Sequence, residues 1–151
     1  MRPQTSIESV DDYFLQMQNV LADVSREAIL TTVSRLYLAW EQRKQVFVLG
    51  NGGSASTASH VANDLSKATI VPGAARMKVI SLADNVALMS AWANDTSYDA
   101  IFKEQLENLM DAGDTVIAIS ARGNSPNVLS AVEFDRQNGA ITIARTGLSG
   151  G

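Results

Sequence analysis

Four short apolar runs, at residues 46–49, 77–82, 115–120 and 140–144, recur along the chain from Gln45 onwards. Stretches with helical spacing lie between and around them, near 54–67, 85–93, 99–110 and 125–138. Strand-like runs alternating with helices leave few topologies open. The simplest is a parallel sheet whose strands are joined by right-handed helical crossovers. Turn chemistry supports the division. Asp111-Ala112-Gly113-Asp114 reads as a turn into the third run, and Asn138-Gly139 as a helix stop before the fourth. The pattern predicts an α/β fold with a parallel β-sheet flanked by helices.

Two further helical stretches precede the first run. Ile7, Val10, Phe14, Met17, Val20, Leu21 and Val24 mark one over 7–24, with Ser9 and Asp12 spaced as a capping box. Ala28, Ile29, Val33, Leu36, Tyr37 and Trp40 mark the other, which runs to about Arg43. Their combined apolar surface exceeds what one face of a small sheet needs. It is expected either to pack against another subunit or to close on itself as a helical hairpin. Residues 1–44 are therefore read as an N-terminal helical oligomerisation segment, and 45–151 as the sheet domain.

Composition narrows the functional classes. Of 151 residues, 46% are apolar and 19% charged, an ordinary globular balance. The chain has no cysteine, which excludes disulfides and thiolate zinc sites and suits a reducing compartment. No apolar run approaches the roughly 18 residues of a membrane span, and no apolar signal core follows the N-terminus, so a cytoplasmic location is expected. The net charge is −4 without a basic cluster, so nucleic acid is not an expected partner. An anionic ligand would have to be held by local N–H and hydroxyl donors.

The connections after two of the runs carry the chemistry. Gly50-Asn51-Gly52-Gly53-Ser54 follows the first and opens a helix. Glycines let the backbone approach an oxyanion, and the first N–H groups of a helix favour negative charge. The spacing is neither that of a P-loop nor that of a dinucleotide fingerprint. Alone, this loop fits an empty turn as well as an anion site. Ser120-Ala121-Arg122-Gly123-Asn124-Ser125-Pro126 follows the third run. Ser125 is a good N-cap and Pro126 suits the first helical position. Two such loops at the carboxyl ends of parallel strands favour an anionic, phosphorylated ligand. Ser120 and Ser125 would donate hydroxyls, amides near Gly123 and Asn124 would complete a cradle, and Arg122 would add charge or project into solvent. His60, the only histidine, and Asp64 are four residues apart on one helix face, a spacing that suits metal ligands or a solvated pair. Asn94-Asp95 reads as a helix end, or as an acceptor for ligand hydroxyls.

Gly50-Asn51-Gly52-Gly53-Ser54, His60, Ala93-Asn94-Asp95, Ser120-x-x-Gly123-Asn124-Ser125-Pro126-Asn127-Val128 and Thr146-Gly147-x-x-Gly150-Gly151 together resemble the phosphoheptose isomerases of the sugar isomerase (SIS) superfamily. The resemblance implies a flavodoxin-like three-layer sandwich of SIS type and a homotetramer formed through the leading helices. It implies conversion of sedoheptulose 7-phosphate to D-glycero-D-manno-heptose 7-phosphate through an enediol, serving heptose synthesis for bacterial lipopolysaccharide. Asn51, Gly52, Gly53, Ser54, Ser120, Arg122, Asn124 and Ser125 would contact the sugar phosphate, and Asp95 the sugar hydroxyls. His60 and Asp64 would be zinc ligands, with Asp64 also the catalytic base, and no nucleotide cofactor is implied.

Three departures accompany it. Asp64 stands where the family has a glutamate, which sets its carboxylate about 1.5 Å back. Arg122 replaces a small hydroxyl residue. The sequence stops before the family's last strand and helix, which carry a glutamine and a second catalytic histidine. The expectation is either a fragment of an isomerase or a phosphosugar-binding or protein-interaction SIS domain without turnover.

Overall fold

A computed structural model describes residues 9–147. Ile7, Gly150 and Gly151, named above, lie outside the described residues. The chain divides into two compact units, one ending at Val33 and the other beginning at Ser34.

The first unit holds α1 (Val10–Asp23) and the start of α2 (Arg26–Glu41). Ser9 caps α1, its hydroxyl accepting from the Asp12 N–H at 3.1 Å. The box is only half formed. Asp12 accepts from the Ser9 hydroxyl at 2.9 Å instead of reaching back to the Ser9 N–H. No residue of α1 is buried, and Phe14, Val20 and Leu21 are exposed along it.

The second unit is a four-stranded parallel sheet of β1 (Gln45–Gly50), β2 (Lys78–Ser81), β3 (Thr115–Ser120) and β4 (Ile141–Thr146), in the order β2-β1-β3-β4. Central β1 carries side chains to both faces, as a strand covered on two sides must. Val46 and Val48 join Ile117, Ala39 of α2 and Ala58 of α3 (Gly53–Lys67) on one face. Phe47 and Leu49 join Val116, Ala118 and Leu82 on the other. That second face is covered by α4 (Val86–Asp95) through Met89 and Trp92, α5 (Lys103–Leu109) through Leu106, and α6 (Pro126–Gln137) through Val128 and Ala131. The parallel α/β prediction holds, and each element falls within a few residues of its expected place.

The turn predictions hold for a visible reason. Asp114, buried, accepts from the Gln45 and Asp111 N–H groups, each at 2.9 Å, and so ties the turn before β3 to the start of β1. Gly139 has φ 78°, a left-handed conformation that only glycine adopts readily, and it ends α6.

The inward stripe of α6 contains Asn127, Val128, Ala131 and Asp135. Asp135 is fully buried at the end away from the loops after β1 and β3. Its Oδ1 accepts from the Thr142 hydroxyl at 2.7 Å, while Oδ2 has no partner among the described residues. Burial pushes its carboxyl up to about 6, opposed by the Thr142 hydrogen bond and the Arg136 charge. The folded state thus holds the proton more tightly than the unfolded chain. This group's contribution is full below about pH 4 and is lost as pH rises through about 6, on the order of 2–3 kcal/mol in all. Asp135→Asn keeps the acceptor for Thr142 and cannot ionise. The variant's melting temperature is expected to gain on the wild type steadily between pH 4 and 7, and a constant difference would refute this role.

Candidate functional site

The register of β1 and β3 sets the site. Gly50 pairs with Ile119, so Asn51 and Ser120, the next residues, begin adjacent loops. From there the chain diverges. The helix after β1 covers one face of the sheet and the helix after β3 covers the other. This is a topological switch point, the crevice where open α/β sheets bind ligands.

The first loop is tight because Gly50 leaves no room for a side chain. A Cβ there would lie 2.8 Å from both the Ile119 carbonyl oxygen and the Ser54 Cβ. Gly52 has φ 54° and ψ −120°, open to glycine but strained for other residues. The N–H of Ser54 donates to the Asn51 carbonyl at 2.9 Å, and those of Ala55 and Ser56 donate to the Gly52 carbonyl. The N–H groups of Gly52, the N-cap of α3, and Gly53, its first residue, have no such acceptor among the described residues. They are the free donors of this loop.

In the second loop, the Gly123 N–H closes a turn on the Ser120 carbonyl at 3.1 Å. It is therefore committed to that turn, which corrects the expectation that it helps build an anion cradle. Ser125 occupies the N-cap position of α6 by backbone, yet its hydroxyl makes no capping bond. It lies 3.3 Å from the hydroxyl of buried Ser120. The expected capping role gives way because the hydroxyl turns into the crevice. Arg122 and Asn124 are exposed, and Arg122 has no carboxylate partner among the described residues.

The first loop is bonded to the start of α6, just past the second loop. Asn51 Nδ2 donates to Asn127 Oδ1 at 2.8 Å, and Asn127 Nδ2 donates back to Asn51 Oδ1 at 2.9 Å. The Tyr98 hydroxyl, on a short 3-10 turn after α4, also donates to Asn51 Oδ1 at 3.1 Å. Neither Asn127 nor Tyr98 was assigned a role from the sequence. Asn127 carried a readable signal, a polar side chain on the apolar stripe of α6. Tyr98 carried none.

Three other candidates stand apart. His60 Nε2 and Asp64 Oδ2 are 3.2 Å apart on the exposed side of α3, away from buried Ala58 and Ala62. That separation fits two corners of a zinc tetrahedron, where ligands with bonds of about 2.0–2.1 Å lie roughly 3.3 Å apart. No group of three or more metal-ligating His, Cys, Asp or Glu residues exists among the described residues, one short of the usual catalytic set. Asp95 ends α4, exposed, and accepts from Asn94 Nδ2 at 2.7 Å. A separate groove of about 440 Å³ between α3 and edge strand β2, bordered by Ser59, Asn63, Val79, Ile80, Ser81 and Asp84, contains none of the site residues singled out in the sequence.

A family model for the SIS domain matches residues 12–147. The chain belongs to the SIS domain family. It is 34% identical to the lincomycin biosynthesis protein LmbN of Streptomyces lincolnensis, over 98% of this chain and 56% of that protein. It is 38% identical to a phosphoheptose isomerase of Pelobacter propionicus, over 78% of this chain and 62% of that one. Against these two curated relatives the SIS chain spans about six-tenths of their length. A phosphoheptose isomerase structure from Francisella tularensis superposes with a TM-score of 0.87 at 30% identity, covering 97% of this chain and 78% of that one. Among the described residues, no helix of this SIS domain is long and apolar enough to cross a membrane.

Because the Ser125 hydroxyl makes no cap bond, Ser125→Ala should cost well under the ~1 kcal/mol of an ordinary N-cap loss. Chemical denaturation checks this, and a full cap penalty would contradict the geometry.

Proposed function

We propose that the chain is the phosphosugar-binding domain of an isomerase acting on sedoheptulose 7-phosphate and yielding D-glycero-D-manno-heptose 7-phosphate. The observation that carries the reading is the pair of donor-rich loops at the switch point, the first bonded to the start of α6, in a chain whose relatives include phosphoheptose isomerases. The phosphate would take the free Gly52 and Gly53 N–H groups, the hydroxyls of Ser54, Ser120 and Ser125, and the amide of Asn124. Arg122 would add a charge-assisted contact in place of the small hydroxyl residue. Asp95 would accept from sugar hydroxyls.

The reaction is redox-neutral overall. A base takes the proton from the carbon beside the ketose carbonyl, an enediol forms, and a proton returns to the neighbouring carbon. Asp64 is the carboxylate assigned to the first step, shorter by one methylene than the family's glutamate. Misplacement by about 1 Å can cost around a hundredfold in rate, so slow turnover is expected. The test is conversion of sedoheptulose 7-phosphate, followed by NMR, with Ser125→Ala beside the wild type. Turnover or saturable binding that weakens in Ser125→Ala supports the reading. Neither turnover nor binding by the wild type would remove it.

The same reading gives His60 and Asp64 to a zinc site, where the metal would supply Lewis-acid polarisation of the substrate carbonyl. The two side chains would contribute two donors, His60 through Nε2 and Asp64 through Oδ2. Zinc titrated against His60→Ala should bind more weakly than to the wild type by at least about tenfold, as expected when a ligand is removed. Equal affinity would exclude His60 as a ligand.

Heptose synthesis for lipopolysaccharide and a homotetramer are the corresponding cellular role and assembly. The exposed apolar row of α1 supports self-association. Light scattering should report a species larger than a monomer, and replacing Phe14 and Leu21 by serine should reduce it. A monomeric wild type would exclude this assembly.

A further inference from the structure

Asn127 is 1% exposed, and none of the roles above uses it. Its bonding fixes how the neighbouring Asn51 is oriented. The Val128 N–H can only donate, so the Asn127 atom 3.0 Å from it must be the oxygen. Nδ2 of Asn127 is then the atom 2.9 Å from Asn51, and the Asn51 atom there must be its oxygen. The return bond of 2.8 Å from Asn51 Nδ2 closes the pair with the same assignment. The Tyr98 hydroxyl gives Asn51 Oδ1 a second donor.

Each carboxamide oxygen now accepts two hydrogen bonds and has both lone pairs filled. Each Nδ2 gives one hydrogen to the pair and keeps one. On Asn127 that hydrogen is buried. On Asn51, half-buried at the rim of the crevice, it remains available to a ligand. Flipping the Asn51 amide would set NH2 against NH2 and lose both legs of the pair.

We propose that Asn127 and Tyr98 are positioning residues. They hold the Asn51 carboxamide by its oxygen, so that it meets the ligand only as an N–H donor. The inference rests on the phosphosugar reading and deepens it. Asn51 then selects a ligand that offers an acceptor oxygen at this point, a phosphate or carbonyl oxygen of the sugar phosphate. A hydroxyl can satisfy it only by accepting.

The test uses the full chain, with sedoheptulose 7-phosphate as probe. Calorimetry gives the affinity, and NMR follows the side-chain NH2 signals of Asn51, identified by their loss in Asn51→Ala. In the wild type, ligand should move one of the two Asn51 NH2 protons downfield. Tyr98→Phe and Asn127→Asp should each lose that shift and weaken binding about three- to tenfold, the equivalent of one neutral hydrogen bond. Tyr98 is more than half exposed, so Tyr98→Phe should leave the melting temperature within about 2 °C and carries the test if Asn127→Asp does not fold. A merely structural role would lower stability without moving the Asn51 signal. Wild-type binding with an unchanged shift, or affinities within twofold in the variants, overturns the positioning role. Absence of any wild-type binding instead removes the phosphosugar reading itself and leaves the carboxamide no such ligand to meet.

Discussion

The parallel pairing of β1 with β3 is the constraint from which the site follows. Every residue of β1 from Val46 to Gly50 has a partner on β3, and both strands are buried on both faces over most of their length. A slip of one residue would turn Phe47 and Leu49 out of their cluster and Val46 and Val48 out of theirs, so register is strongly specified. With Gly50 held against Ile119, the loops that leave the two strands must start side by side. Because their helices leave to opposite faces, a crevice opens between them without any further device.

What fills that crevice is shaped by the scarcity of positive charge. The chain is acidic overall, and Arg122 is the one cation in either loop. An anion bound there would have to be held mainly by N–H and hydroxyl groups. Such donors work when they are preorganised, since they then need no reorganisation when the ligand arrives. Gly50 lets the first loop lie close to β3, the turn onto Ser120 shapes the second, and the reciprocal amide pair fastens the first loop to the start of α6. Burying the Asn127 carboxamide is tolerable because its oxygen and its nitrogen each find a partner.

Helix α6 serves both ends of this arrangement. Its inward stripe begins with Asn127 beside the crevice, passes the small side chain of Ala131, and ends with Asp135. Burial shifts the carboxyl of Asp135 because the charged form loses hydration that the single Thr142 hydrogen bond does not replace, whereas a carboxamide carries no charge and does not titrate in this range. A polar residue on an apolar stripe is thus not one kind of feature. Its meaning depends on which partners the neighbouring elements bring.

The order of strands and helices was legible in the chain, as were the turns at 111–114 and 138–139 and the two loops that carry glycine and hydroxyl residues. These are local properties: periodicity reports which faces are covered, and left-handed or crowded backbone favours glycine. Tertiary structure alone decided the rest. It put Asn51 beside Asn127, 76 residues away, and brought Tyr98 to the same oxygen. It turned the Ser125 hydroxyl from its own helix towards Ser120, tied up the Gly123 N–H, and buried Asp135 with half its carboxylate unpartnered. In each case a side chain or amide chose between a local partner and a distant one. That choice is made by packing between elements far apart in sequence, which no local pattern records.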